Sequence, residues 1–493
     1  MQNTPEVKLG VVAVSRDCFP IELSRKRLNN LVAASEKSGL KLIKAETIIE
    51  NEKDALKASC ELYEKGANAV VVYLGNFGPE GPTSIFIERF HGPVMACAAA
   101  EESGKDLING RGDAFCGMLN LSYNLKLKNL RVHIPEAPVG LPEDLTKEIS
   151  HFEKIAKIWL GVKKLKVFGF GPRPQDFFAC NAPIKPLYDL GVEVMENSEL
   201  DLLELYKAAA GNSDIKDIAA EMTAELGAGN TYPDMITKLA QFESALKQFM
   251  SDNLGSREYA VFADKCWPAF EKAFGFVPCY VNSRLASKGI PVACEVDMYG
   301  AVSEYMAQLA SGQPATILDI NNTVPPDMTA SASALEGYDK SDLFMGFHCG
   351  NTPKCCLREG CSMKYQLIMN RLMEGGNTPD ITRGTLEGYL KPGEATVFRL
   401  QSTSDCELRS YVADGSVLKM NPNSFGAIGV IAVKGLRRFY RHVLVGGNYP
   451  HHSAVAFKHS GKVLFDAVKL LSGITPSYPL PENVLYPQEN PFN

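Results

Sequence analysis

Short runs of β-branched and small apolar residues alternate with stretches of helical periodicity through the first third of this chain, and few folds accept that pattern. Lys8–Ser15 (KLGVVAVS) reads as a buried strand and the stretch near Glu22–Ser38 as a helix. Leu40–Ala45 is the next strand, Asp54–Lys65 the next helix and Ala69–Leu74 (AVVVYL) the third strand. Such alternation builds a parallel sheet with crossover helices, a doubly wound α/β domain. A second series opens at Leu165–Gly169, after the amphipathic stretch Thr146–Leu160. It continues through Val192–Met195, Tyr259–Phe262, Pro291–Cys294 and Thr316–Ile320. Past about Leu343 the helices thin out. Thr385–Tyr389, Ala395–Leu400 and Cys406–Val412 are short strands parted by Pro, Gly, Ser and Asp, which predicts an antiparallel sheet or small barrel. The expected fold class is α/β, with two doubly wound α/β domains followed by a β-rich, barrel-like C-terminal domain and a proline-rich tail from Ser477.

Composition narrows the function classes. Over 493 residues, 51 Lys+Arg face 57 Asp+Glu, a formal charge of −6. A nucleic-acid binder needs clustered cations against phosphate, and the densest cluster here, Lys434 to Arg441 (KGLRRFYR), is short and interrupted by apolar residues. Hydrophobic residues at 45% can build cores without disulfides. The 13 cysteines are odd in number and scattered among apolar neighbours, a usage expected of reduced thiols. The start, MQNTPEVKLGVVAV, has only a six-residue apolar run and no basic stretch or cleavage site, and no segment approaches the ~20 apolar residues of a membrane span. A soluble cytoplasmic protein is expected.

Generic nucleotide and hydrolase signatures are absent. Gly169-Phe-Gly171-Pro-Arg-Pro174 follows a strand but carries proline where a dinucleotide fingerprint has its third glycine. GxxxxGK[ST], GxSxG and HExxH do not occur. The informative region is GIPVACEVDMYGAVSEYMAQLASGQPATILDI, from Gly289 to Ile320. A strand ends at Glu295. Met298, Val302, Tyr305, Met306 and Leu309 then recur at helical spacing until Gly312 and Pro314, and the next strand carries Asp319. Read as strand–helix–strand, the pattern places both carboxylates at carboxyl ends of strands, the edge where α/β folds bind ligands. Were those strands neighbours, about 4.8 Å apart, both carboxylates could reach one metal or one substrate carbon. Spacing alone leaves open that one acid caps the helix and the other belongs to a turn. Two of the eight histidines stand together in Gly446-Gly-Asn-Tyr-Pro-His-His-Ser453, and strand alternation allows only one of them to face a site. His348 is a further candidate. Cys349, Cys355, Cys356 and Cys361 lie close in sequence but lack the CxxC pairs of thiolate metal sites, which favours ordinary reduced thiols.

ACEVDMYGA around Glu295, TILDI ending near Asp319 and GGNYPHHS near the C-terminus resemble the L-fucose isomerase and L-arabinose isomerase superfamily. The likeness runs over nearly the whole chain and is closer to the fucose branch, since the arabinose branch pairs two glutamates. The resemblance implies a metal-dependent aldose–ketose isomerase acting on an open-chain monosaccharide through an enediol. L-fucose- or D-arabinose-like sugars are the expected substrates, and a Mn²⁺ ion (or another divalent cation such as Mg²⁺) would be held by Glu295, Asp319 and His452. His348 resembles an additional ligand of the arabinose branch. Asn448 would contact sugar hydroxyls. Arg16, Asn76 and Phe77 would complete a neighbouring subunit's site in a trimer or hexamer, and Trp267 could offer an aromatic face to sugar C–H groups. The resemblance also sets the domains at 1–165, 166–312 and 313–493, with the second boundary inside the strand–helix–strand unit. Pro172-Arg-Pro-Gln-Asp176 and Lys265 depart from the fucose pattern. Arg173 and Lys265 are cations that could read an anionic substituent such as the sulfonate of sulfoquinovose, although Arg173 could instead pair with Asp176 and point outward. A non-catalytic sugar-binding protein is the alternative of another class.

Overall fold

The computed structural model describes residues 3–180 and 182–492. Two compact units are present. One is Pro5–Leu160 with Asp466–Gly473; the other is Gly161–Phe465 with the flanking terminal segments.

The first unit is built on β1 (Leu9–Val14), β2 (Ile43–Lys44), β3 (Ala69–Leu74), β4 (Val94–Ala99) and β5 (Val139–Gly140), all parallel in the order β2-β1-β3-β4-β5. β1, β3 and β4 are buried at all six positions. An absence of alternation is what a parallel strand shows when crossover helices cover both faces of its sheet. The expected first and third strands are found within a residue or two; Leu40–Ala45 contributes only Ile43–Lys44.

The larger unit holds two sheets. β6 (Leu165–Gly171), β7 (Glu193–Ser198), β8 (Tyr259–Ala263) and β9 (Val292–Ala293) form a parallel sheet in the order β7-β6-β8-β9. The second sheet comprises β10 (Ala315–Asn322), β11 (Leu343–His348), β12 (Ser362–Tyr365), β13 (Arg383–Tyr389), β14 (Gly393–Ser402), β15 (Leu408–Leu418), β16 (Ala427–Ala432) and β17 (His452–Ala456). Running β11-β10-β17-β14-β15-β16, it closes on itself through an antiparallel β11–β16 pairing, so six strands make a barrel. β13 and β12 extend it on one side. The fold is therefore α/β with parallel sheets and a β-rich C-terminal part, as the strand pattern predicts.

One expectation is corrected. The sequence reads Thr316–Ile320 as a further strand of the second parallel series, but β10 belongs to the barrel, pairing with β11 and β17, while β9 pairs with β8. Local periodicity identifies a strand but carries no record of its partner. Between them runs the helix Met298–Ser311, buried at every residue. It packs on β8 of the parallel sheet and on β10, β14 and β17 of the barrel. Burial on every side follows from a position between two sheets, and it encloses Glu304 and Gln308 along with the apolar residues. Gly312, at φ +70°, supplies the left-handed residue that ends it before β10. Among the described residues no helix is long and apolar enough to cross a membrane.

Candidate active site

The turn after β9 presents Glu295 in an unusual way. Glu295 (φ 61°) and Val296 (φ 57°) are successive non-glycine residues in the left-handed region, and Val296 is β-branched. Each such residue costs on the order of 1–3 kcal/mol and persists only where its surroundings enforce it. Here the Val296 N–H donates to the Asp264 carbonyl at 2.8 Å and the Asp297 N–H to Cys294 O at 3.2 Å. Asp297 then caps the buried helix, accepting from Gly300 N–H at 2.8 Å.

Asp319 sits within β10, directly opposite His452 of β17 in the antiparallel ladder, so both side chains leave the sheet on one face. His452 Nε2 lies 3.5 Å from Glu295 Oε2 and 3.5 Å from Asp319 Oδ1. His451 Nε2 is 3.9 and 3.8 Å from the same two oxygens. The expectation that only one of the two histidines could face a site is corrected: β17 begins at His452, so strand alternation does not apply to His451. His348, on β11, places its ring 5.7 Å from that of His452. Its Nδ1 accepts the Cys349 N–H at 2.9 Å, which puts the hydrogen of the neutral ring on Nε2. Glu295, Asp319, His452 and His348 are thus brought together, with His451 added.

Behind this group lies a buried polar chain. His452 Nδ1 donates to Asp297 Oδ2 at 2.8 Å, and Arg399 of β14 grips both Asp297 oxygens at 2.6 and 2.8 Å. Gln401 accepts from Arg399 in turn. Arg399 and His452 are fully buried, and Asp297 is 1% exposed. Cys180, in the turn Phe178–Cys180, brings Sγ to 3.8 Å from both Glu295 Oε2 and His452 Nδ1. The spacing argument identified neither Asp297, Arg399 nor Cys180.

Electrostatics follow from this layout. Burial, reinforced by Asp319 and Asp297 against the charge of His452, pushes Glu295 up to about 7. Burial likewise lifts Asp319 to about 6. Burial works to raise Asp297 too, but Arg399 and His452 hold it well below the usual carboxylate range. His452 is raised well above 6.5, its hydrogen bonds to Asp297 and Cys180 overcoming burial. Burial and the neighbouring His452 charge lower His451 to about 4 and hold His348 well below the ordinary imidazole value.

Two buried atoms, Asp319 Oδ1 and His452 Nε2, have no hydrogen-bond partner. They face each other across 3.5 Å with Glu295 Oε2 equally close to the imidazole. Glu295, His451 and His452 form one potential metal-binding group and Asp319, His348 and His452 another, each with its donor atoms within 4.8 Å of one another. Two carboxylate oxygens and an imidazole whose other nitrogen is fixed by a carboxylate fit a divalent cation.

The model for fucose/sulfoquinovose isomerase N-terminal domains matches residues 10–163, and that for L-fucose isomerase C-terminal domains matches residues 346–475, together more than half of the chain. The chain belongs to the fucose isomerase-like superfamily. Members of the families matched are aldose–ketose isomerases, and the fucose isomerase family is typically metal-dependent. A sulfoquinovose isomerase of Alkalicoccus urumqiensis is 23% identical over 301 residues, 60% of this chain and 60% of that protein, so the match spans less than two thirds of that relative. One from Priestia aryabhattai is 24% identical over 344 residues, 69% of each chain. A solved conserved domain protein of Vibrio cholerae O1 biovar El Tor aligns over 59% of this chain and 89% of its own at 11% identity, with a TM-score of 0.15, too slight a likeness to bear on the fold.

The remaining candidates of this fucose isomerase-like chain divide into groups. Trp267 meets the Phe177 ring edge-on at 5.5 Å, and Phe177 in turn meets His451 at 5.9 Å, an aromatic row leading to the imidazoles. Lys265 is 5% exposed and bound to Glu199 at 3.0 Å, so its charge is already compensated. Arg173 stacks on Phe178, 4.5 Å from the ring centroid, and its buried Nε has no partner. It lines a cavity of about 340 Å³ with Pro172, Asn197 and Ser198. Asn448 occupies an exposed left-handed turn before Tyr449. In the first unit, Arg16 pairs with Glu80 at 2.9 Å and lies over the Phe77 ring, while its N–H donates to Asn76 Oδ1. Those three residues form one cluster, on the loops after β1 and β3.

Proposed function

We propose that this protein is a metal-dependent aldose–ketose isomerase that acts on an open-chain monosaccharide through an enediol. The observation that carries the reading is the buried, unpartnered pair Asp319 Oδ1 and His452 Nε2, facing each other at 3.5 Å with Glu295 Oε2 alongside. Glu295, Asp319 and His452 would hold Mn²⁺ or another divalent cation such as Mg²⁺; His348, whose Nδ1 accepts the Cys349 N–H and whose Nε2 carries the hydrogen, is left out of the ligand set. When bound, the metal polarises the carbonyl and stabilises negative charge developing on the sugar oxygens. The chain's own task is proton movement. One of the two carboxylates takes the C2 proton and returns it at C1. The carboxylate that accepts the proton as a base in one step returns it as an acid in the next. Trp267 and Phe177 form an apolar wall for sugar C–H groups, and Asn448 serves the hydroxyls.

Two sugar classes divide the observations. The compensated Lys265 supports a neutral deoxy-sugar or pentose such as L-fucose or D-arabinose. The unsatisfied Arg173 Nε and the named activity of the relatives support sulfoquinovose. Chelator-treated protein assayed with L-fucose, D-arabinose, L-arabinose and sulfoquinovose is expected to convert at least one to its ketose only after Mn²⁺ is restored, and the sugar converted decides the class. If no aldose reacts with any divalent metal, the isomerase reading fails in favour of a sugar-binding protein without catalysis.

The same proposal includes domains divided near residues 165 and 312, a cytoplasmic location, and a trimer or hexamer in which Arg16, Asn76 and Phe77 complete a neighbour's site. An exposed apolar stripe supports the assembly: Phe115, Leu119, Tyr123 and Leu127 recur every fourth residue along the helix Ala114–Leu127 at 63–72% exposure. Mixing Arg16→Ala chains with Glu295→Gln chains, each inactive alone, is expected to restore partial activity. A fully active monomer by light scattering overturns the assembly.

A further inference from the structure

Asn282 stands in the middle of the helix Cys279–Ser287, where every residue from Cys279 to Ala286 is buried. An amide in such a place costs free energy unless it is hydrogen-bonded, and asparagine is unfavourable inside a helix. Its Nδ2 donates to Asp264 Oδ1 at 2.8 Å, and each of the two residues is 1% exposed. Asp264 Oδ2 and Asn282 Oδ1 have no partner, so this one bond joins the pair. Two apolar side chains of similar shape could fill these positions with little loss of stability. What the polar pair adds is direction.

That direction bears on Glu295. Asp264 directly follows β8, and its backbone is bound at both ends. Its N–H donates to Ala293 O of β9 at 3.0 Å, and its carbonyl accepts the Val296 N–H at 2.8 Å. The second bond comes from outside the turn to hold Glu295 and Val296 in the left-handed region, a conformation that lasts only where the surroundings enforce it. A carbonyl holds such a turn only as firmly as its own residue is held, and Asn282 ties the Asp264 side chain to the buried helix. Were the turn to relax, Glu295 Oε2 would leave its place 3.5 Å from His452 Nε2.

We propose that Asn282 and Asp264 are positioning residues for Glu295: their hydrogen bond fixes the carbonyl that keeps the Glu295–Val296 turn left-handed, and so sets where the Glu295 carboxylate stands relative to His452. This rests on the reading of Glu295 as acid–base group and metal ligand. Neither residue touches the sugar; both act through the backbone of the turn.

The test uses full-length protein and three variants. Asn282→Ala removes the donor, Asn282→Asp sets two acids face to face, and Asp264→Asn with Asn282→Asp exchanges donor and acceptor across the same bond. Each is followed by electron paramagnetic resonance of Mn²⁺, by kcat and KM at saturating Mn²⁺, and by hydrogen exchange at the Val296 amide. Asn282→Ala and Asn282→Asp are expected to lower kcat about 10–100-fold with KM held, to weaken Mn²⁺ binding and to speed exchange at Val296. The exchanged pair is expected to recover most of the lost kcat and the slow Val296 exchange. Should Asn282→Asp not fold, Asn282→Ala and the exchanged pair carry the test. An Asn282→Ala protein that loses stability in urea but keeps its kcat, Mn²⁺ affinity and Val296 protection makes the pair structural only and overturns the proposal. Losses that the exchanged pair does not recover overturn it as well. A parent protein that neither binds Mn²⁺ nor turns over any aldose would instead overturn the isomerase reading, while faster Val296 exchange in Asn282→Ala would still show the pair holding the turn.

Discussion

Asp319→Asn is expected to lower turnover by about 10²–10⁴-fold while leaving the fold intact, the loss that follows removal of a positioned acid–base group. The carboxamide keeps the size of the side chain, so the β10–β17 ladder that carries it has no reason to shift. What disappears is the negative charge 3.5 Å from His452 Nε2 and the capacity to accept a proton. Glu295→Gln should behave alike, and His452→Ala should lose metal binding with turnover. His451→Ala should do less, because its side chain is 40% exposed and stands 3.8–3.9 Å from the same oxygens. Circular dichroism and Mn²⁺ titration on each variant separate loss of fold from loss of ligand. Normal turnover in the Asp319→Asn protein would remove Asp319 from the mechanism.

Arg399→Met is expected to cost about 3–5 kcal/mol of stability, the penalty for stranding one partner of a buried ion pair. Asp297 would remain 1% exposed with its carboxylate facing only His452 and the helix N-terminus. Two measurements distinguish this electrostatic account from simple loss of packing. First, Arg399→Met with Asp297→Asn should be more stable in urea than Arg399→Met alone, because the pair is then removed together. Second, Asp297→Asn alone should weaken metal binding about 10–100-fold, since the carboxylate that orients His452 through Nδ1 is gone. A double variant less stable than both single variants would contradict the buried-charge account.

How much of this could be read from the residues varies with the distance over which each feature acts. The buried strands around Val11, Val71 and Val167 are legible because an apolar run is a local property. Glu295 and Asp319 stand out because each marks a boundary or run that the chain displays in one dimension. His452 emerges only by resemblance, since nothing local separates it from His451. Asp297 was within reach, being an aspartate placed immediately before an apolar helical pattern, where N-caps occur. Its partners His452 and Arg399 lie 155 and 102 residues away, and pairing across such gaps leaves no local trace. Arg399 left a fainter mark, as a lone cation inside the apolar strand Gly393–Ser402. Cys180, in a short turn, left none. The placing of Thr316–Ile320 in the second parallel series fails for the same reason: periodicity records which face is buried, never against which strand.

Asp319 and His452 face one another because ladder hydrogen bonds hold β10 and β17 in a single register. Side chains alternate with a period of two, so inserting or deleting one residue in either strand would turn Asp319 or His452 to the opposite face of the barrel wall. Residues 172–180 obey no such arithmetic. That segment lies outside the ladder, and it carries Arg173, Phe177 and Cys180. The surroundings of the site can therefore be rewritten by length changes in a loop, while the facing of Asp319 and His452 survives no single-residue insertion or deletion in β10 or β17.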